Sequence, residues 1–249
     1  MSKEQPRTAA VSGGLPDLRN LPGGLERRVR GDFFLAKHLC LKDLSLEADV
    51  LLFALISALG GVIYVGIVAA LHALPTGYTL RNAVSDYGVG RYAPLFRIGL
   101  WAGAIAPLAL LAGLAIAVGA PPLVSRDLVF LGLITLSRVG ESVFPTSLEG
   151  ESLTRTGMLH YVFAVLTFGF TYAAISGLTP DLVKLHPWHS ADGVLSWLSG
   201  ATLVGLILVV VTLLPRFRQR LFGLCERFFL VVTYLWLVIV AILLAVKAA

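Results

Sequence analysis

Asp86, Glu141, His160 and Glu226 stand where apolar stretches of this chain begin or end, and each side chain can donate, accept or ligate. One imidazole and three carboxylates suit a divalent ion or acid–base work. In that reading His160 and Asp86 are the ligands or the base, and Glu141 or Glu226 orients them, as in a metal-assisted or acid–base lipid hydrolase. Arg138 and Arg227 add positive charge nearby. With them, Ser85, Asp86, Tyr87, Glu141, His160 and Glu226 suit a lipid headgroup or other small amphiphile, held by guanidinium groups as anion partners. Ser85-Asp86 lacks a G-x-S-x-G elbow and reads as a turn.

Other constellations are thinner. His186-Pro187-Trp188-His189, with Asp181 and Asp192 nearby, offers two imidazoles for a metal, but an interfacial Trp and His belt accounts for it equally well. His72 and His160 are the histidines available as axial ligands of a b-type haem, a pairing that arises easily by chance. No HExxH spacing occurs, a lone histidine at a helix start is commonly a hydrogen-bonded cap, and no cofactor is implied.

The elements that must position these groups follow from composition. The chain has 249 residues, 57% hydrophobic and 14% charged, against roughly 45–50% apolar and about 25% charged in soluble domains. Its solvent is therefore lipid. The formal charge of +5 comes from Lys and Arg in the tail and between apolar runs, as in membrane proteins, and nucleic acid is set aside. Cys40 and Cys225 imply no disulfide framework. No apolar segment with a small-residue cleavage site precedes Val50, so the first span is expected to act as the insertion signal.

Apolar blocks lie at Val50–Leu74, Leu95–Val118, Leu123–Phe144, Leu159–Leu178, Val194–Leu214 and Leu224–Val246. They are continuous rather than alternating, and unpaired backbone groups are too costly in lipid for an open strand. The expected fold is all-α, a polytopic transmembrane bundle of six helices over 48–249 behind an N-terminal tail, 1–47. Residues 1–24 read as mobile or partner-ordered, and 25–47 as a basic amphipathic segment or a solvated tail. Pro75-Thr76-Gly77, Pro121-Pro122, Pro145, Thr179-Pro180 and Pro215 separate the blocks. Gly60-Gly61 and Pro107 fall inside spans, and no internal repeat supports a transporter.

An even count of spans puts connections one, three and five on one membrane face. Those connections carry nearly all the candidates, while His186 and His189 face the other side. Within the third block, Arg138 and Glu141 are three residues apart on one side of a helix, where they can pair. An ion at that depth costs at least about 2.5 kcal/mol and must face the bundle or a cavity. Positive-inside counts are nearly balanced between the tail lysines and arginines and Arg216, Arg218 and Arg220. Weighting the tail puts both termini in the cytoplasm.

At these residues the chain resembles a family of bacterial and archaeal six-pass membrane proteins catalogued as domain of unknown function 998. The resemblance spans roughly residues 50 to 246. It rests on Ser85-Asp86-Tyr87-Gly88-Val89-Gly90 after the first helix, Phe144-Pro145-Thr146 ending the third, and His160 opening the fourth. It rests also on Gly223-Leu224-Cys225-Glu226-Arg227 and Trp236 in the last helix. The chain departs from the family in offering Thr146-Ser147 and then Glu149 where an Asp follows the Phe-Pro, and in its longer tail. The resemblance implies a multi-pass protein of the cytoplasmic membrane and brings no reaction with it. Headgroup or amphiphile binding is thus the leading expectation, beside the hydrolase and beside a structural subunit docked in a membrane complex through 25–47 and through Gly60-Gly61.

Overall fold

The structure, a computed structural model, describes residues 23–118, 126–148 and 152–249, with side chains at 23–44, 215 and 219 left aside. Residues 1–22, the Pro121-Pro122 turn, Glu149 and the side chains that would make 25–44 amphipathic lie outside that description. The chain divides into two compact units, Met1–Ser45 and Leu46–Ala249. Described backbone in the first is helical from Gly23 onward.

Among the described residues every regular element is helical. The long ones are α1 (Gly23–Ala73), α2 (Ala93–Val118), α3 (Arg126–Val143), α4 (Arg155–Leu182), α5 (Asp192–Thr212) and α6 (Pro215–Ala248). Short 3₁₀ turns occupy Val84–Gly88 and Trp188–Ala191. By length and composition five segments can cross a membrane: Ser45–Ala73, Ala93–Val118, Arg155–Leu182, Trp188–Thr212 and Arg220–Ala248. Among the described residues the expected six apolar spans are thus corrected to five by that measure, although six long helices pack in the bundle. The exception is α3, whose 18 residues include Arg126, Asp127, Arg138 and Glu141. At about 1.5 Å per residue it is still about 27 Å long, and it packs between α2 and α4. Arg126 and Asp127 pair at its exposed start, and polar groups further in are answered inside the bundle; Thr135 Oγ1, for example, donates to the Ala104 carbonyl at 3.0 Å.

Successive helices alternate in direction through the second unit. At one end, Val84 after α1 bonds Glu226 at the start of α6, and Arg218 bonds Tyr161 at the start of α4. At the other end, the buried Trp188 before α5 donates from Nε1 to the carbonyl of Val240, late in α6, at 3.2 Å. Connections one, three and five therefore do gather at one end of the bundle.

Two prolines act differently from expectation. Pro180 does not stop α4, which runs on to Leu182. Pro180 lacks the N–H that would reach the Ser176 carbonyl; beside it Thr179 Oγ1 donates to the Ile175 carbonyl at 2.6 Å and accepts from Trp236 Nε1 at 3.0 Å, which ties this turn of α4 to α6. Pro215 opens α6 at its first turn, where its missing N–H would be unpaired in any case, and so places Arg216, Arg218 and Arg220 on a helix. Gly60 and Gly61 are also reassigned. Added Cβ atoms there would meet the Ala102 carbonyl at 3.0 Å and Val238 Cγ2 at 2.8 Å. Both glycines are buried against α2 and α6, which removes them as an exposed docking face.

The alternation has a direct check in chains lacking Cys40 and Cys225 and carrying one new exposed cysteine. Thr79→Cys and Thr156→Cys should react with an impermeant thiol reagent from the same side of the membrane, and Lys184→Cys from the other. Labelling of positions 79 and 156 from opposite sides would mean that α2 and α3 do not both cross.

Candidate functional site

The end of the bundle that holds the odd connections is built around buried polar groups. Asp86, Arg138, Glu141, His160 and Glu226 all have less than a tenth of their surface exposed. Among the described residues they do not gather as metal ligands. Arg138 and Glu141 form an ion pair, Glu141 also lines a cavity with His160 and Ser85, and Glu226 holds the turn that carries Asp86.

The ion pair is the one expected from spacing. Arg138 Nη1 lies 3.0 Å from Glu141 Oε2, with both side chains 6% exposed. Glu141 Oε1 accepts from Thr167 of α4 at 2.5 Å, so both carboxylate oxygens are engaged. The guanidinium carbon of Arg138 stands 5.0 Å from the Tyr64 ring centre and 5.9 Å from that of Tyr234, and those rings stack at 4.3 Å. Its Nε–H has no acceptor, and the ring faces supply the compensating negative potential. α1, α3, α4 and α6 thus meet on one pair. The arrangement leaves Arg138 occupied, and the expected role as anion partner does not pass to it.

One cluster surrounds His160. Its Nδ1 is 2.8 Å from the Phe144 carbonyl and 3.2 Å from that of Glu141, so Nδ1–H donates to the end of α3 and caps it. That tautomer leaves Nε2 as an acceptor. The ring lines a cavity of about 110 Å³ with Ser85, Arg97, Glu141 and Thr146, room for a few waters at roughly 30 Å³ each. The Ser147 hydroxyl accepts from Thr154 N, and Thr154 in turn caps α4 through Gly157 N, so the connection bearing His160 is held at both ends.

The other cluster centres on Arg227. Its Nη1 points at the carbonyls of Asn82 and Gly223, each at 2.8 Å, and its Nη2 donates to Tyr87 Oη at 3.1 Å. Since a guanidinium only donates, the Tyr87 hydrogen is available to His72 Nδ1, 3.3 Å away. Beside it, Glu226 Oε2 accepts the Val84 backbone N–H at 2.7 Å. Ser85, Asp86 and Tyr87 fall in the 3₁₀ turn expected from their types, and Arg227 and Glu226 clamp that turn onto α6.

Among the described residues no three His, Cys, Asp or Glu side chains come together as metal ligands. His189 Nδ1 is 2.9 Å from the Val183 carbonyl, at the opposite end from His160. His72 and His160, the haem candidates, line different cavities. Sequence reasoning missed Thr167, Tyr64 and Tyr234 around the ion pair, and Tyr161 and Arg218 at the head of α4. A hydroxyl or phenol inside an otherwise apolar block was the available signal.

Buried charges answered by side chains inside an all-helical bundle, with five helices apolar enough to cross a bilayer, define a multi-pass membrane protein. Residues 58–243 match the family model described as protein of unknown function (DUF998), and the chain belongs to that family. Neither a curated protein nor a solved structure matches it.

If the Arg138–Glu141 pair is mainly a packing element, Glu141→Ala leaves a buried cation and should cost about 3–5 kcal/mol. The double replacement Arg138→Met with Glu141→Leu should recover most of that loss. Denaturant unfolding of the purified variants measures both; a double variant no more stable than Glu141→Ala would contradict this account.

Proposed function

We propose that this protein binds a membrane amphiphile, with its anionic head at Arg227, Arg81 and His72 and its chain between α1 and α6. The reading is carried by one observation, that an apolar notch walled in part by Arg227 shares His72 and Leu80 with a basin edged by Arg81.

The surroundings support it. Arg227 lines a notch of about 170 Å³ whose other walls include Val65, Val68 and Leu230. His72 and Leu80 border both this notch and a shallower basin of about 520 Å³ edged by Tyr78, Thr79 and Arg81. No acidic side chain lines either space among the described residues. A basin edged by Arg81 that adjoins, through His72 and Leu80, an apolar notch walled in part by Arg227 matches a lipid with an acceptor-rich, negatively charged head. Of the expected anion partners, Arg227 is retained and Arg138 gives way to Arg81.

Lipid extracted from the purified protein and identified by mass spectrometry tests the reading. Arg227→Lys keeps the charge but not the forked donors, and Arg81→Gln removes an exposed charge. Each should lower the anionic lipid carried by about tenfold, the scale of one charge-assisted hydrogen bond. Val68→Trp should fill the notch and have the same effect. Unchanged lipid content in all of these variants would sink the proposal.

A further inference from the structure

A second concave space lies on the other side of the bundle and shares no residue with the first. It measures about 770 Å³, lies between α4 and α5, and ends against the start of α6. That volume is within the roughly 300–1,000 Å³ typical of small-molecule sites. Its walls are apolar, with Val165, Phe168, Leu206 and Val210 along them.

The polar lining gathers at one end. Arg218 Nη2 donates to Tyr161 Oη at 3.3 Å, and Tyr161 donates to the Ser147 carbonyl at 3.2 Å. The Arg218 guanidinium also stands 5.7 Å from the Tyr161 ring centre, which fixes it in place. Arg216 and Arg220 are exposed on the same helical start. The groove is therefore apolar along its length, with Arg218 and Tyr161 lining its head. It lies between two helices apolar enough to cross a bilayer, where an unfilled groove forfeits dispersion contacts that a hydrocarbon chain restores.

Gly169 completes the picture. It lines the groove, and a Cβ built on it would meet nothing within 4 Å. A helix interior ordinarily favours Ala over Gly by about 1 kcal/mol, so a glycine without a packing partner keeps this wall low.

We infer that the α4–α5 groove is a second amphiphile site, taking an anionic phospholipid whose chain lies against Val165, Gly169 and Val210 and whose head meets Arg218. The site stands or falls separately from the α1–α6 notch.

The test uses the full chain carrying Val68→Trp, so that the first notch is blocked, in a neutral detergent. Native mass spectrometry follows its titration with phosphatidylglycerol and, separately, phosphatidylcholine. Phosphatidylglycerol should bind more tightly. Gly169→Leu should weaken it by about tenfold or more, while Gly169→Ala leaves it within about twofold. Val165→Trp, at a wall position 58% exposed, blocks the groove without altering a helix glycine and should match Gly169→Leu. Arg218→Gln should erase the preference between the two lipids and leave the remaining binding intact. Binding unaffected by both blocking variants, or no preference in the Val68→Trp parent, would overturn the inference. Neither result would bear on Arg227. Conversely, lipid loss with Arg227→Lys but not with Gly169→Leu would leave the first site standing alone.

Discussion

The Arg138–Glu141 pair is the constraint around which the rest of this bundle is arranged. A guanidinium and a carboxylate among apolar helices must be answered within reach or forced out toward water. Here the answer comes from four helices: Tyr64 on α1, the pair itself on α3, Thr167 on α4 and Tyr234 on α6. Each contribution fixes a rotation as well as a distance. If α4 turned by one residue, Thr167 would leave Glu141; if α6 turned, Tyr234 would leave the guanidinium. Small residues permit this closeness. A Cβ at Gly103 would meet Tyr64 Cδ2 at 3.1 Å, and one at Gly140 would clash with the ring of Phe163.

Placing the charges inside frees the end of the bundle for other work. The Val84–Gly88 turn is tied to α6 by Glu226 and Arg227, and the 144–147 segment to α4 by His160 and Thr154. Both connections are held by hydrogen bonds through backbone groups, the Val84 N–H and the Phe144 carbonyl, and through the side chains of Tyr87 and Ser147, which suits a region where apolar burial alone gives little direction. The two cavities open on either side of this stiffened end. Each pairs an apolar trough with arginine and a tyrosine or histidine at its head, so one chemical solution recurs at two places without any internal repeat.

What could be read from the sequence divides along physical lines. Lipid as solvent, helices as the elements and the convergence of odd connections all follow from long apolar runs and backbone satisfaction. The Arg138–Glu141 contact was legible because three residues on one helix set its geometry. Glu226 with Val84 and Arg218 with Tyr161 were not, since 142 and 57 residues separate them and no pattern encodes the rotation that brings them together. His160 was expected to open α4, which instead begins at Arg155 behind Thr154; its role as a cap of α3 depends on a carbonyl, Phe144 O, that side-chain chemistry does not reveal. Pro180 and Pro215 act differently from expectation because a proline's effect depends on its place: at the first turn of α6 its missing N–H has no partner to lose, and within α4 the helix runs on past it to Leu182.

The pair's position within a single helix has a further consequence for how the chain reaches its membrane. A translocating segment meets lipid before its later neighbours have been synthesised. Had the acid for Arg138 come from α4 or α6, α3 would have emerged with a bare cation and no partner yet made. Because Glu141 follows one turn later on the same segment, α3 carries its own neutralisation out of the ribosome, and Tyr64 on α1 precedes it. Thr167 and Tyr234 arrive afterwards and tighten an arrangement already close to electroneutral. The order of the groups along the chain thus matches the order in which biogenesis needs them.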